Sequence, residues 1–477
     1  MNAGAGEAAA GQVRYASARG RWVLAASVLG SGMAFLDSTV VNIALPHIGR
    51  DLDAELSGLQ WTVNAYTLAL AGLLLLAGAL GDQLGRRRVF VAGVVWFAVA
   101  SVACALAPTI ELLIVARVLQ GVGAALLTPT SLALIQGSFR PEDRSVAIGA
   151  WSGLTGVSVA VGPLFGGWLV DVASWRLIFL INLPLAAAVV WAALRHVPES
   201  RDSDAIDGLD VRGATLAALA LAGVTYGLTA GPEAAWGIAA LLPLGAGVVA
   251  AIAFMVHEAR CPHALVPLSL FASRTFSAAN LVTLVVYAAL SAMLFLLPLQ
   301  LQQVLGYSAL QAGLALAPVT VLMLIFSPSA GRLCQRVGPR LPLSVGPVVA
   351  AAGLALMARV GEGDHYATGI LPSILLFGAG LTLTVAPLTA AVLGAAPESR
   401  AGIASAVNTA IARAAGLVAV AVVPIAAGIG ASDYLAPEAF SDGYRVGMVI
   451  AAALCAGGGV LAALTIRPEP RPAAVPA

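Results

Sequence analysis

The sequence predicts an all-α membrane protein of fourteen transmembrane helices, with both termini on the cytoplasmic side. Three observations carry this reading. First, 60% of the 477 residues are hydrophobic and only 10% are charged, whereas an average soluble domain is about 45–50% apolar and about 25% charged. The mean hydropathy of +0.92 agrees. A soluble chain of this length needs a polar skin that this composition cannot supply, so much of the surface must face lipid. Second, apolar windows long enough to cross a bilayer recur along the whole chain. Third, the arginines are divided very unequally between alternate loops.

A bilayer core takes about 20 apolar residues per helix. That window places spans at 22–46, 58–80, 89–107, 112–135, 146–170, 176–196, 212–230, 236–256, 277–302, 308–330, 341–360, 369–394, 402–428 and 444–466. The first run, from Trp22 to Pro46, is too long for the apolar region of a signal peptide and is read as an uncleaved helix. An even number of spans puts both termini on one side, and the arginines choose the side. All basic residues are Arg; with the N-terminus inside, 19 lie in cytoplasmic segments and 4 (Arg50, Arg176, Arg359 and Arg445) outside, while Arg117 and Arg413 lie within spans. Positive charge accumulates on the cytoplasmic side of membrane proteins, so the orientation is N-in, C-in.

The chain carries an internal repeat. Gly78-Ala-Leu-Gly-Asp82-Gln-Leu-Gly85-Arg86-Arg87-Arg88 follows the second span, and Gly331-Arg-Leu-Cys-Gln335-Arg-Val-Gly338-Pro-Arg340 follows the tenth, at an offset of 253 residues. Two six-span blocks with an inserted pair of helices follow. The expected organisation is a cytoplasmic tail over 1–21, a six-helix bundle over 22–196, linker segments with two inserted helices over 197–275, a second six-helix bundle over 276–466, and a cytoplasmic tail over 467–477. This 6+2+6 plan with parallel repeats is the arrangement found in major facilitator transporters.

Further motifs make the likeness specific. Leu36-Asp37-Ser-Thr39-Val-Val-Asn42-Ile-Ala-Leu-Pro46 stands on the first span, Gly78 to Arg88 after the second, and Arg117-Val-Leu-Gln120-Gly121-Val-Gly123 on the fourth. Gly156 to Gly167, with Gly162-Pro163 and Gly166-Gly167, stands on the fifth, and Trp175-Arg176 with Phe179, Asn182 and Pro184 opens the sixth. With these the chain resembles the major facilitator superfamily, and within it the fourteen-span drug:proton antiporters of the EmrB/QacA type. The resemblance implies a major facilitator fold in the inner (cytoplasmic) membrane, working as a monomer without cofactor. It implies proton-coupled efflux of small hydrophobic or antibiotic-like compounds, driven by the proton gradient. It assigns Arg117 to proton transfer and the fifth-span motif to exporters.

The residues support a physical reading of their own. Asp37 is the one carboxylate well inside a span, ~22 Å along its helix. Left charged and unpaired there it would cost several kcal/mol, so it is expected to face a cavity, where it suits proton coupling or contact with a cation; the alternative is a structural carboxylate bonded to Thr39 or Asn42. Arg117 and Arg413 stay charged at any relevant pH and must pair or face water. Asp82 stands in the loop between spans 2 and 3 with Arg86 and Arg87, where Gly78 and Gly85 permit tight turning; pairing of Asp82 with Arg144 is the expected gate. Gly156, Gly162, Pro163, Gly166 and Gly167 allow close helix approach and bending. Candidate substrate contacts, besides Asn42, Gln120 and Arg413, are Trp61, Asn64 and Tyr66 in span 2, Tyr287 and Gln300 in span 9, and Asn408 in span 13. Together they suit a large apolar cavity with few polar handles.

Other classes fare worse. A net charge of +1 excludes a strongly basic nucleic-acid binder, and a chain without Lys holds no phosphate-binding loop of the usual kind. The four cysteines, Cys104, Cys261, Cys334 and Cys455, are scattered and read as apolar fillers. Isolated histidines argue against a metal site, and no cluster of catalytic residues appears. A dedicated exporter or symporter of one metabolite on the same fold remains the alternative; a non-transporting sensor or a membrane-embedded enzyme ranks lower. Spans 7 to 14 carry no further acid, so neutral or monovalent substrates are expected.

Overall fold

The computed structural model describes residues 13–201, 210–232, 234–261, 264–397, 400–430 and 436–466. Residues 1–12 of the N-terminal tail, 202–209 of the linker and the tail 467–477 lie outside the described residues. The described chain is all helical, with a single parallel bridge between Val13 and Phe139 in place of any sheet.

Among the described residues, fourteen helices are long and apolar enough to cross a membrane, counting one bent pair as a single span. They are α1 Ala18–Asp51, α2 Leu56–Leu84, α3 Arg86–Leu106, α4 Ile110–Ser138, α5 Pro141–Val172, α6 Leu177–His196, α7 Val211–Ala230 and α8 Ile238–Arg260. They continue as α9 Arg274–Gln303, α10 Ala309–Val337, α11 Arg340–Met357, α12 Tyr366–Gly394, α13 Ala401–Ala426 and α14 Pro437–Thr465. The helix α2 counts as one bent span, turning by 52° between Leu74 and Leu76.

Local signals account for the ends. The Ser17 hydroxyl accepts from the Gly20 amide at 3.0 Å to open α1, and Ser308 and Gln311 form a reciprocal capping box at the start of α10. The stops differ from expectation. The Gly78–Arg88 motif is not a loop: helix runs through Leu84 and resumes at Arg86, leaving Gly85 alone as the hinge. Its φ of +112° is one that L side chains rarely adopt. The repeat copy behaves alike, since α10 runs to Val337 and stops at Gly338, with φ +78°. Helices are stable beyond the hydrocarbon because their backbone bonds are internal, so apolar windows underestimate their length.

The chain divides into two compact units. One comprises residues 1–222 with 249–254 and 261–265; the other comprises 223–248 with 255–260 and 266–477. The boundary cuts α7 between Ala222 and Gly223. Within the second unit, Gly223 lies against Pro243 and Gly247, and Gly227 against Leu244, so the end of α7 packs closely on α8.

Each unit repeats one packing pattern. In the first, α1 packs on α5 and α6, α4 on α2 and α3, and α3 on α6. In the second, α9 packs on α13 and α14, α12 on α10 and α11, and α11 on α14. Small residues set these crossings. A Cβ on Gly93 would strike the Leu127 amide of α4, and one on Gly346, again 253 residues on, would strike the Gly380 carbonyl of α12.

The fifth-span glycines divide into two kinds. A Cβ on Gly162 would land on the Thr39 hydroxyl, and one on Gly166 on the Val40 side chain, whereas Gly156 has nothing within 4 Å. Close approach of α5 to α1 therefore rests on Gly162 and Gly166, not on Gly156, and α5 continues unbroken through Pro163. Gly162→Val is expected to destabilise the protein by about 1–3 kcal/mol through overpacking, while Gly156→Val leaves it within about 0.5 kcal/mol. Thermal unfolding in detergent checks both; equal midpoints for the two variants would overturn the assignment.

Candidate functional site

The first unit encloses a charged cluster built from five helices. Asp37 comes from α1, Thr62 and Tyr66 from α2, Ser101 and Cys104 from α3, Arg117 and Gln120 from α4, and Phe179 and Asn182 from α6. The spacing of the fourth-span motif explains the position of its two members. Arg117 and Gln120 are one helical turn apart and share a face. Gly121 and Gly123 let α4 close in: a Cβ on Gly121 would strike the Tyr66 carbonyl, and one on Gly123 the Phe97 backbone. Glycines thus bring the polar face within reach of α2 and α3.

The bonding is nearly saturated. The Arg117 guanidinium donates through Nη1 to Asp37 Oδ2 and, at 2.5 Å, to Gln120 Oε1, and through Nε to the Thr62 carbonyl at 3.0 Å. Asp37 Oδ1 accepts from Gln120 Nε2 at 2.8 Å and from Asn182 Nδ2 at 3.3 Å. Ser101 Oγ accepts from the same two amides, at 2.8 and 3.2 Å. The guanidinium lies over the Tyr66 ring at 4.4 Å and, farther off, over Phe179 at 5.7 Å, so aromatic faces complete its shell. Tyr66 itself donates to the Ala34 carbonyl at 3.0 Å.

Asp37 and Arg117 are each 1% exposed. Two unit charges in so dry a place are tolerable only because each neutralises the other and the leftover donors and acceptors are filled. Asp37 therefore does not face a cavity, contrary to expectation. Nor does it bond to Thr39 or Asn42, whose side chains turn back on Leu36 and Ser38 carbonyls, at 2.9 and 3.3 Å. Chemically, the cluster is an ion pair closed off from water, in which one member can gain a proton and the other cannot lose one.

The expected gate is wired differently. Asp82 pairs with Arg86 at 2.8 Å, one turn along the chain, while Arg144 donates to the Phe139 carbonyl at 3.1 Å. The segment after α6 does the tying. Glu199 accepts from the Arg87 amide at 3.0 Å and lies 3.7 Å from the Arg87 and Arg88 guanidinium groups. The Ser200 and Val197 carbonyls accept from the Arg86 amide and Arg87 Nη1, at 3.0 and 3.1 Å. A short helical spacing explains the Asp82–Arg86 pair, which competes with any longer reach.

The candidate substrate contacts scatter. Tyr66 and Gln120 belong to the ion-pair cluster. Asn64 is buried with its Nδ2 unpartnered, and Trp61 is half-buried. In the second unit Gln300 donates to the Val360 carbonyl and Ser441, while Asn408 donates to Asn280 at 3.0 Å and Thr283 at 2.7 Å. Tyr287 and Arg413 are half-buried on the same two helices, α9 and α13. Sequence reasoning missed Ser101, Asn280, Thr283 and Glu199 as members. Asn280 and Thr283 could have been found, because with Tyr287 and Ser291 they recur at helical spacing. Ser101 could not, being one hydroxyl in an apolar helix.

Among the described residues of the second unit, the matching place holds no ion pair. Gly380 packs against the α11 backbone at Ala350 as Gly123 does against the α3 backbone at Phe97. Counting back from these glycines, Ile374 stands where Arg117 does and Phe377 where Gln120 does, both fully buried.

Comparison with known proteins agrees with this architecture. Residues 27–421 match the profile of the Major Facilitator Superfamily. The chain is 38% identical over 389 residues to the tetracenomycin C resistance and export protein of Streptomyces glaucescens, covering 81% of this chain and 72% of that one. It is 35% identical over 390 residues to the multidrug resistance protein Stp of Mycobacterium tuberculosis, with the same coverage. In fold it is similar to a solved bacterial homologue of the human lysosomal transporter Spinster, with a TM-score of 0.67 at 17% identity over 94% of this chain and 97% of that one.

Proposed function

The chain belongs to the Major Facilitator Superfamily, a multi-pass membrane transporter and not an enzyme, and from that premise we propose that it exports small hydrophobic or antibiotic-like compounds across the cytoplasmic membrane in exchange for protons. The sealed Asp37–Arg117 pair carries the proposal. Protonating Asp37 cancels the charge that Arg117 relies on, and the guanidinium then needs water or another acceptor. Proton uptake is therefore tied to opening of the cluster, which is what alternating access driven by a proton gradient requires. Similarity to proteins named for antibiotic resistance and export favours outward movement of the substrate. The repeated packing pattern supports the 6+2+6 plan, and the arginine distribution supports an N-in, C-in orientation. The energy source is the proton gradient alone, and the working unit is the monomer.

The test is export from cells expressing the full chain, with and without an uncoupler. Expected is resistance to a panel of hydrophobic antibiotics that the uncoupler abolishes. Uncoupler-insensitive efflux would overturn proton coupling, and protection against one compound only would select the dedicated-exporter reading.

A further inference from the structure

The start of α1 and the end of α6 form a patch that the ion-pair cluster does not use. Trp22 of α1 meets Trp191 of α6 edge to face, with ring centres 5.2 Å apart. The His196 ring stacks on Trp22 at 4.9 Å and stands edge-on to Trp191 at 5.5 Å. Arg19 donates through Nε to the His196 carbonyl at 3.0 Å, capping the last turn of α6 and tying it to α1. The ring contacts and this bond hold the two ends in a fixed relation.

The outer side of the patch is aromatic and positive together. Trp22 and Trp191 are 40% and 50% exposed, and neither indole N–H has an acceptor among the described residues. The indoles of Trp96, Trp151 and Trp175, by contrast, each donate within the protein. Arg19, Arg21 and Arg195 are exposed, and none meets an acid among the described residues. Neither residues 13–36 nor residues 182–198 contain Asp or Glu. The acids that follow these stretches, Asp37 and Glu199, are held by Arg117 and by Arg87 and Arg88. Asp143, which α5 brings to this end of α1, accepts from the Tyr15 amide.

Depth sorts the groups by chemistry. Arg195 lies ~6 Å beyond Trp191 toward the end of α6, and Arg19 ~4.5 Å before Trp22. The guanidinium groups therefore stand at the level of lipid phosphates and the indoles at the level of the glycerol esters, where Trp collects. Leu29, two turns deeper on the Trp22 side of α1, and Ala187, one turn deeper on the Trp191 side of α6, are exposed and apolar.

We propose that this α1–α6 patch binds an anionic glycerophospholipid, its phosphodiester held by Arg19 and Arg195 and its acyl chains laid along Leu29 and Ala187. The indole N–H groups donate to the glycerol ester oxygens. A zwitterionic lipid carries its own cation beside the phosphate, so it keeps the ester and chain contacts and loses part of the charge-assisted bonding. The proposal needs only that the patch lies at the membrane surface, whatever the protein carries and whichever ion drives it.

The test titrates the purified full chain in detergent with single lipids and counts bound copies by native mass spectrometry. Palmitoyl-oleoyl phosphatidylglycerol is the anionic probe, and phosphatidylcholine with the same chains is its zwitterionic match. Wild type is expected to bind the first phosphatidylglycerol about tenfold more tightly than the first phosphatidylcholine. Arg19→Gln with Arg195→Gln removes that preference and leaves phosphatidylcholine within about twofold. Arg332→Gln with Arg336→Gln, which deletes exposed arginines of α10, is expected to keep it. Should the first double variant fail to fold, Arg195→Glu serves: it leaves the Arg19–His196 bond in place and is expected to abolish the preference by itself. Equal affinity of wild type for both lipids overturns the proposal. Equal loss of the preference in the α10 variant does the same, since diffuse charge would then explain it. Displacement of phosphatidylglycerol by excess inorganic phosphate also overturns it, because a free anion would suffice.

Discussion

Asp37→Asn is expected to abolish pH-gradient-driven accumulation of substrate in everted membrane vesicles, down to the level of vesicles without the protein. The same variant should still exchange labelled for unlabelled substrate across the membrane when no gradient is imposed. Asn keeps the shape and an acceptor for Gln120 and Asn182 but fixes the uncharged state, so on the proposed reading Arg117 stays released and the site cannot cycle between the two charge states that coupling needs. Coupling is lost and movement of the substrate survives. Continued uphill accumulation by Asp37→Asn would exclude this carboxyl as the coupling group, and loss of exchange as well would mean that it does more than couple.

A stability cycle on the same pair gives the second large effect. Arg117 is buried and cannot shed its charge, so Asp37→Asn leaves an uncompensated guanidinium and is expected to cost about 3–5 kcal/mol. Arg117→Gln costs less, because a stranded carboxyl can neutralise itself by taking a proton. The double variant, Asp37→Asn with Arg117→Gln, is neutral throughout and is expected to recover most of the loss, giving a coupling energy of several kcal/mol between the sites. Unfolding midpoints of the four proteins in one detergent measure it. Additive losses would show that the two residues do not depend on each other. The double variant also separates the roles, since restored stability without restored coupling marks the pair as more than a scaffold.

Much of the fold was legible because lipid imposes a simple rule. A helix that crosses hydrocarbon must be apolar for about 20 residues, so hydropathy locates it whatever its neighbours. Its ends were less legible. Helix continues past the apolar window wherever the backbone allows, as at Asp82 and Arg336, and only Gly85 and Gly338 mark where it stops. The site was legible in parts. Asp37 and Arg117 announce themselves as charges in the wrong solvent, and they do meet. That Gln120, Asn182 and Ser101 close the shell was not readable, because an amide in a membrane helix bonds equally well to a backbone carbonyl, as Asn42 and Gln300 partly do. The Asp82–Arg144 pairing was misjudged for a related reason: arginines are long, and a local acid one turn away captured Arg86 first.

The backbone-mediated crossings at Gly93 and Gly346 carry one more consequence. Where two helices touch through glycine, the neighbouring backbone and a few side chains set the joint, so two copies of one bundle can hold the same framework while polar residues elsewhere diverge. Here one copy has a sealed ion pair where the other has Ile374 and Phe377, and that other copy carries its single mid-span cation elsewhere, on α13. On the proposed reading proton handling belongs to the first copy, so polar substitutions in the second can accumulate without disturbing the Asp37–Arg117 pair.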